Sequence, residues 1–217
     1  MIMRIADQQL RQMFPNAGRR LDPHLPYIAP AMAAAAIDTP ERIAAFLAQL
    51  AHESAEYRYM EEIADGSAYE GDTDLGNTEP GDGVKFKGHG PIQITGRANH
   101  AACGAALGID LITEPRLICT PVYGTASACW FWNSRKLSLL ADRGWFREIT
   151  RHVNGGYNGL TDRVAYWQRN RVLLGLPPVD VSNDYAVEKA AIMAFQSSRG
   201  LQTDGDVGPM TMAALAA

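Results

Sequence analysis

Ten carboxylates fall between residues 53 and 82 (Glu53, Glu56, Glu61, Glu62, Asp65, Glu70, Asp72, Asp74, Glu79 and Asp82), against one base, Arg58. That segment carries −9 while the whole 217-residue chain carries −4, so everything outside it sums to +5. Such a density can be a solvated acidic loop, a cation site, or a pair of carboxyls dividing general acid and general base work between them. A calcium loop needs acids at alternate positions, a central glycine and a terminal glutamate. The stretch DTDLGNTEPGD has that composition without that register. Glu53 stands apart, because Phe46, Leu50, Glu53 and Tyr57 fall at i, i+4, i+7 and i+11 and so share one helical face. A carboxyl in line with a buried stripe is either a satisfied ion pair or an acid whose pKa desolvation raises, as a general acid requires.

The element that must carry Glu53 announces its start. Asp38-Thr39-Pro40-Glu41 offers a capping residue, a first-turn proline and an early acid. The run RIAAFLAQLAHESAEYRYM then continues with apolar residues at helical spacing, and the first 60 residues read as helical. Residues 65–90 are rich in Gly, Asp and Pro and predict irregular loops with a short hairpin. A short strand is expected over Ile92 to Thr95. Residues 97–176 return to helical patterning, closing with a helix through DRVAYWQRNRVLLG, and Leu176-Pro177-Pro178 reads as a boundary.

Hydrophobic residues make up 47% of the chain and charged residues 20%, which suits one good-sized domain, or one domain plus a small appendage. Disordered, collagen-like and coiled-coil classes are excluded. No Lys/Arg run is present, so nucleic-acid binding is not expected. Three cysteines (Cys103, Cys119, Cys129) lack zinc spacing and predict a reducing compartment. The segment MIMRIADQQLRQMF breaks the apolar stretch of a signal peptide, and the apolar run Ile28 to Ile37 is too short to span a membrane. The reading is a soluble protein made in the cytoplasm. His52, His89, His100 and His152 lack the short spacings of zinc motifs, and neither metal nor cofactor is expected.

Three motifs hold the remaining chemistry: AHES at 51–54, KGHGPIQITGRANH at 87–100 and HVNGGYNG at 152–159. With FLAQLAHES, EEIADGSAYEG, LGNTEPGDG and VNGGYNGLTDR in the same order, the chain from about Gln8 to Gly175 resembles the family 19 glycoside hydrolases, and more closely their bacteriophage endolysin branch. The resemblance implies a mainly α, lysozyme-like fold: a two-lobed helical core with a small irregular β and loop region lining a cleft. It implies Glu53 as general acid and Glu62, nine residues on, as general base. On an unbroken helix those carboxyls would lie about 180° apart around the axis and roughly 13 Å along it, so the helix must end between them. An inverting glycosidase needs its carboxyls roughly 6.5–9.5 Å apart, and that spacing is the expectation. Glu61, Glu56 and Glu70 are the rivals for the base. Glu61 is expected to point elsewhere, and Glu70 to bind substrate or hold a loop by ion pairing.

By the same resemblance Thr95 positions the attacking water, and Gln93 and Asn99 hydrogen-bond the sugar. Asn154 holds the N-acetyl group or the water, and Arg163 pairs with acids of the cleft. The alternatives are a plain strand residue for Thr95, a helix cap for Asn99 and a surface ion pair for Arg163. His52 either orients Glu53 or packs in the core. His89 stands where family members usually carry an arginine, exchanging a permanently charged planar donor for a titratable one within substrate reach.

The ending MAFQSSRGLQTDGDVGPMTMAALAA resembles the second half of a small peptidoglycan-binding domain. The expected division is a catalytic domain over 1–176 and a partial wall-binding tail over 177–217. The tail is expected either to borrow the helix near 162–174 as its missing first helix or to be vestigial and packed on the core. The implied substrate is peptidoglycan, with chitin as the alternative and a non-catalytic wall-binding protein as the second. The implied setting is phage lysis, with release to the periplasm through a holin and a monomeric enzyme.

Overall fold

The computed structural model describes residues 5–179 and 184–217. The chain is mainly helical: α1 (Asp7–Met13), α2 (Leu25–Ala34), α3 (Pro40–Glu53), α4 (Asp82–Lys85), α5 (Arg97–Leu107), α6 (Pro121–Ser134), α7 (Ser138–Ala141), α8 (Phe146–Asn154), α9 (Leu160–Leu173), α10 (Asp184–Ser198) and α11 (Pro209–Ala216). Among the described residues, no helix is long and apolar enough to cross a membrane.

Helix α3 starts where its signals predict. Thr39 is the cap, its hydroxyl accepting from the Arg42 amide at 3.3 Å, with Pro40 in the first turn. The expected one-sided stripe is an understatement, because every residue from Ile43 to Ala51 is buried. A helix buried all round is a central one. Its alanines let α9 lie close along it, and the Asn170 side chain reaches the Ala44 carbonyl at 3.2 Å. Phe46 meets Trp132 of α6 edge-on, and Phe146 of α8 stacks on Trp167 of α9 at 4.5 Å. Each such side chain contributes about 1.5–3 kcal/mol by leaving water.

The helix ends at Glu53, so Tyr57 does not belong to its face as the spacing predicts. Ala55, Glu56 and Tyr57 follow with φ of +44°, +57° and +61°, three non-glycine residues in the left-handed region. Each costs about 1–2 kcal/mol there, so tertiary contacts must hold them. Ser54 bridges the Leu50 carbonyl (2.7 Å) and the Tyr57 amide (2.8 Å). The buried Glu56 carboxylate accepts from the Asn16 amide (2.5 Å), the Asn16 side chain (2.8 Å) and the Tyr166 hydroxyl (2.6 Å). Tyr57 packs on Phe14 and His24 and meets the Thr125 hydroxyl at 3.1 Å. Glu56 is thereby a structural anchor.

The hairpin and strand expected between 65 and 95 reduce to two isolated antiparallel bridges, Glu61 with His89 and His89 with Ile94. The intervening segment is held largely by its own acids. Asp65 accepts from Ser67, Asp72 from the amides of Asp74 and Leu75, and Asp82, 1% exposed, from Arg97 at 2.5 and 2.7 Å. With little regular ladder, carboxylates satisfy the loop's donors.

The tail is docked on the core. Gln168 exchanges bonds with the backbone of Val179, and the Arg171 guanidinium donates to the Pro177 carbonyl at 2.8 and 3.1 Å. Beyond that connection, Phe195 of α10 meets Trp145 and Arg143 ahead of α8, Glu188 bonds the start of α8, and Val187 and Ala191 share a crevice with Trp167 and Arg171 of α9. Residues 180–183 of the VDVSND segment lie outside the described residues.

Candidate active site

Glu53 closes the central helix with its side chain turned to α9. Its Oε1 lies 2.5 Å from Arg163 Nη2, and Arg163 is 1% exposed. The desolvating apolar setting expected for Glu53 is therefore replaced by a buried ion pair. Arg163 is fixed in turn: Nη1 donates to Gln49 Oε1 at 2.5 Å and Nε to the Asn158 carbonyl at 3.2 Å. Gln49 donates to the Thr150 hydroxyl at 2.9 Å, so α3, α8 and α9 meet behind the carboxyl. His52 does not orient Glu53. Its Nδ1 donates to Asp162 at 2.6 Å, and its ring lies against the bare Cα of Gly159, a residue at φ +69° where no side chain would fit.

The second carboxyl is set by backbone register. With Glu61 opposite His89 and His89 opposite Ile94, the next positions across three antiparallel segments are Glu62, Gly88 and Thr95. Side chains in one such row point to the same side, and two steps of about 4.8 Å put its outer members about 10 Å apart at the backbone. The Glu62 amide donates to the Gly88 carbonyl at 2.8 Å, while its carboxylate accepts from the Gly88 amide (2.9 Å) and the Tyr69 hydroxyl (2.9 Å). Both oxygens of that carboxyl are thus met by hydrogen-bond donors. Burial, followed by the neighbouring Glu62, raises the Tyr69 phenol, which stays a donor.

Gly88 is a glycine for space. A Cβ there would lie 2.6 Å from Gln93 Oε1 and 3.3 Å from Glu62 Cβ, so the amide of Gln93 sits beside Glu62 over a bare backbone. Gln93 also donates to the Gly90 carbonyl at 2.9 Å, and Thr95 donates to the Gln93 carbonyl at 3.1 Å. Asn99 lies in the first turn of α5, not at its cap, and its side chain donates to the Thr95 carbonyl at 2.7 Å. Asn154 ends α8 and is exposed.

Two expected substrate contacts are corrected. Both carboxylate oxygens of Glu70 accept backbone amides, Gly81 at 2.7 Å and Gly83 at 2.8 Å, so it holds the loop by hydrogen bonds and not by ion pairing. His89 is 2% exposed, and its side chain turns away from the Glu62 row to meet His100 at 3.1 Å. His100 Nδ1 must donate to the Gly96 carbonyl (2.9 Å), so its Nε2 accepts from His89 Nδ1. Burial, with His100 next, lowers His89 to about 4.

Glu61 also points away from Glu62, as expected, pairing with Lys87 at 3.0 Å and Arg116 at 2.9 Å. Burial alone would raise its pKa, but these cations hold it below the usual range. A cleft of about 650 Å³ lies on that side, lined by Glu61, Lys87, Arg116, Val84 and Leu117 among others. Sequence reasoning missed Gln49, Thr150, Asp162 and Tyr69. Gln49 alone left a signal, a polar residue inside the apolar FLAQLA.

Comparison with known proteins bears on this arrangement. A family model described as class I chitinase matches residues 27–138, and a peptidoglycan-binding domain model matches residues 176–215. An endochitinase of Arabidopsis thaliana is 39% identical over 143 residues, which are 63% of this chain and 49% of that one. Endochitinase B of Nicotiana tabacum is 33% identical over 178 residues, covering 64% and 54% respectively. The chain thus spans about half the length of the curated relatives it matches. Chitinase C of Streptomyces griseus superposes with a TM-score of 0.67 at 24% identity, covering 81% of this chain and 95% of the other. The class IV chitinase of Zea mays gives 0.64 at the same identity. Both share the fold.

Proposed function

From a chain that belongs to glycoside hydrolase family 19, the family of the class I chitinase model spanning half of it, we propose an inverting hydrolase of β-1,4 bonds next to N-acetylated sugars. The observation that carries the reading is the pairing of two differently held carboxyls. Glu53 ends a helix against a buried arginine, and Glu62 lies in a row with Gly88 and Thr95. In the proposed reaction Glu53, ion-paired with Arg163 at rest, takes up a proton from solvent and then gives it to the glycosidic oxygen, which restores the pair. Glu62 takes a proton from a water held with Thr95, and that water's oxygen bonds to the anomeric carbon from the opposite face. Arg163 then faces the charge that appears on Glu53 as its proton leaves, where a fixed cation is most useful. Gln93, Asn99 and Asn154 serve the sugar and its N-acetyl group.

The substrate we infer is bacterial peptidoglycan, because the segment after the catalytic part matches a peptidoglycan-binding model. In this reading the catalytic domain covers 1–176 and the tail 177–217. The enzyme serves phage-induced lysis, reaching the wall through a holin. Chitin is the second reading, favoured by relatives named endochitinases.

Mass spectrometry of digested peptidoglycan, run beside soluble chitin oligomers, separates them. New reducing ends on N-acetylmuramic acid or N-acetylglucosamine in the wall digest support the first reading. Cleavage of the oligomers alone supports the second, and turnover of neither ends the proposal.

A further inference from the structure

We propose that residues 184–217 form a clamp on α8 that positions the arginine of the general acid, which makes the tail a working part of the catalytic site. This rests on the hydrolase reading above for its chemistry. The clamp grips α8 at both ends. Glu188 of α10, 5% exposed, accepts the amides of Arg147 (3.1 Å) and Glu148 (2.9 Å), two of the first-turn donors that a helix cannot satisfy itself. At the other end the Val207 carbonyl accepts from Arg151 Nη2 and His152 Nε2, each at 3.0 Å. Between them, the Arg147 guanidinium lies 4.5 Å from the ring of Tyr157 in the core and 4.3 Å from that of Tyr185 in the tail. Trp145, just before α8, meets Phe195 of α10 edge-on at 6.0 Å.

The opposite side of α8 holds the acid's support. Thr150 accepts from Gln49, and Gln49 accepts from Arg163. The loop leaving α8 supplies the Asn158 carbonyl to Arg163 Nε. The two groups that steady Arg163 besides Glu53 are thus both referred to α8: one is bonded to it, and the other follows it in the chain. A helix of nine residues is too short to hold its own position: Phe146 and Ile149 seat its inner face in the core, and the tail caps its first turn and holds the far end. Displacement of a supporting element by about 1 Å is enough to cost on the order of 10²-fold in rate. An independent wall-binding arm has no reason to bury a carboxylate in the core.

The test uses the full chain with Glu188→Ala and Glu188→Gln. On soluble fragments of whichever glycan the wild type cleaves, peptidoglycan or chitin, too short to need a wall-binding arm, Glu188→Ala is expected to lower kcat about tenfold or more with little change in KM. Glu188→Gln recovers part of the rate, since its amide oxygen still accepts. Unchanged kcat with weakened retention on insoluble wall overturns the clamp and leaves the tail a binding arm. Hydrogen exchange gives a readout that needs no turnover. In Glu188→Ala, faster exchange through residues 147–154 and on to the amides of 158–163 supports the clamp. Faster exchange confined to 147 and 148 overturns it. If wild type cleaves no glycan, the hydrolase reading fails, and the exchange pattern still decides the clamp.

Discussion

Arg163 and Glu53 form a 2.5 Å ion pair in which the arginine is 1% exposed and the carboxyl sits at the mouth of the helix that fills the core. The Glu53 carboxyl is therefore aimed by α9 as much as by the helix it belongs to.

Replacing Glu53 with Gln keeps the shape and removes the proton. Activity on the glycan is expected to fall by about 10²–10⁴-fold with an unchanged far-ultraviolet dichroism spectrum. Arg163→Ala acts on a different quantity. It leaves Glu53, Gln49 and the Asn158 carbonyl without their donor, and denaturant unfolding should show a loss of about 3–5 kcal/mol.

Tyr69→Phe removes one of the two hydrogens given to Glu62 without changing volume. Hydrogen bonds to charged groups contribute about 1.5–3 kcal/mol, so kcat should fall roughly tenfold or more. Thermal unfolding should stay close to wild type, because Tyr69 lies outside the core cluster. Wild-type kcat in this variant would remove Tyr69 from the site.

Gly88→Ala tests the crowding between Glu62 and Gln93. The new methyl would meet Gln93 Oε1 at 2.6 Å, within a flexible side chain, so the fold should persist while the amide moves. Steady-state kinetics are expected to show a lower kcat and a raised KM together. Unaltered kinetics would mean that Gln93 does not touch the sugar.

His89 predicts an acid limb in stability. Its folded pKa is lowered to about 4 from 6.5 by burial, so between those values the unfolded chain binds more protons. Stability must then decline as pH falls from 6.5 towards 4. Thermal midpoints across that window should decline less in His89→Gln, which has nothing to protonate there. Parallel curves for the two proteins would contradict the assignment.

The start of α3 and the place of Glu53 on it were legible because capping and periodicity are local, while the break before Glu62 was required only by the family resemblance that pairs the two carboxyls. The form of that break was not legible. Ala55, Glu56 and Tyr57 carry no turn signal, and what holds them comes from Asn16 and Tyr166, 40 and 110 residues from Glu56. The acidic segment misled in a similar way. Its charge marked a cleft, but Glu56, Glu70, Asp72 and Asp82 spend their oxygens on backbone amides or arginine. Spacing cannot say which acid finds a local donor. His89 was misread because a motif position tells nothing about which side of a three-segment row its side chain takes.

The left-handed turn at 55–57 has one more consequence. Its anchors come from the segment after α1 and from α9, and α9 also holds Glu53 through Arg163, so the turn and Glu53 both depend on parts of the chain far apart in sequence. Neither can be correctly aimed in a partly assembled molecule. The proposed activity would then switch on as a step late in folding, when α9 docks beside α3.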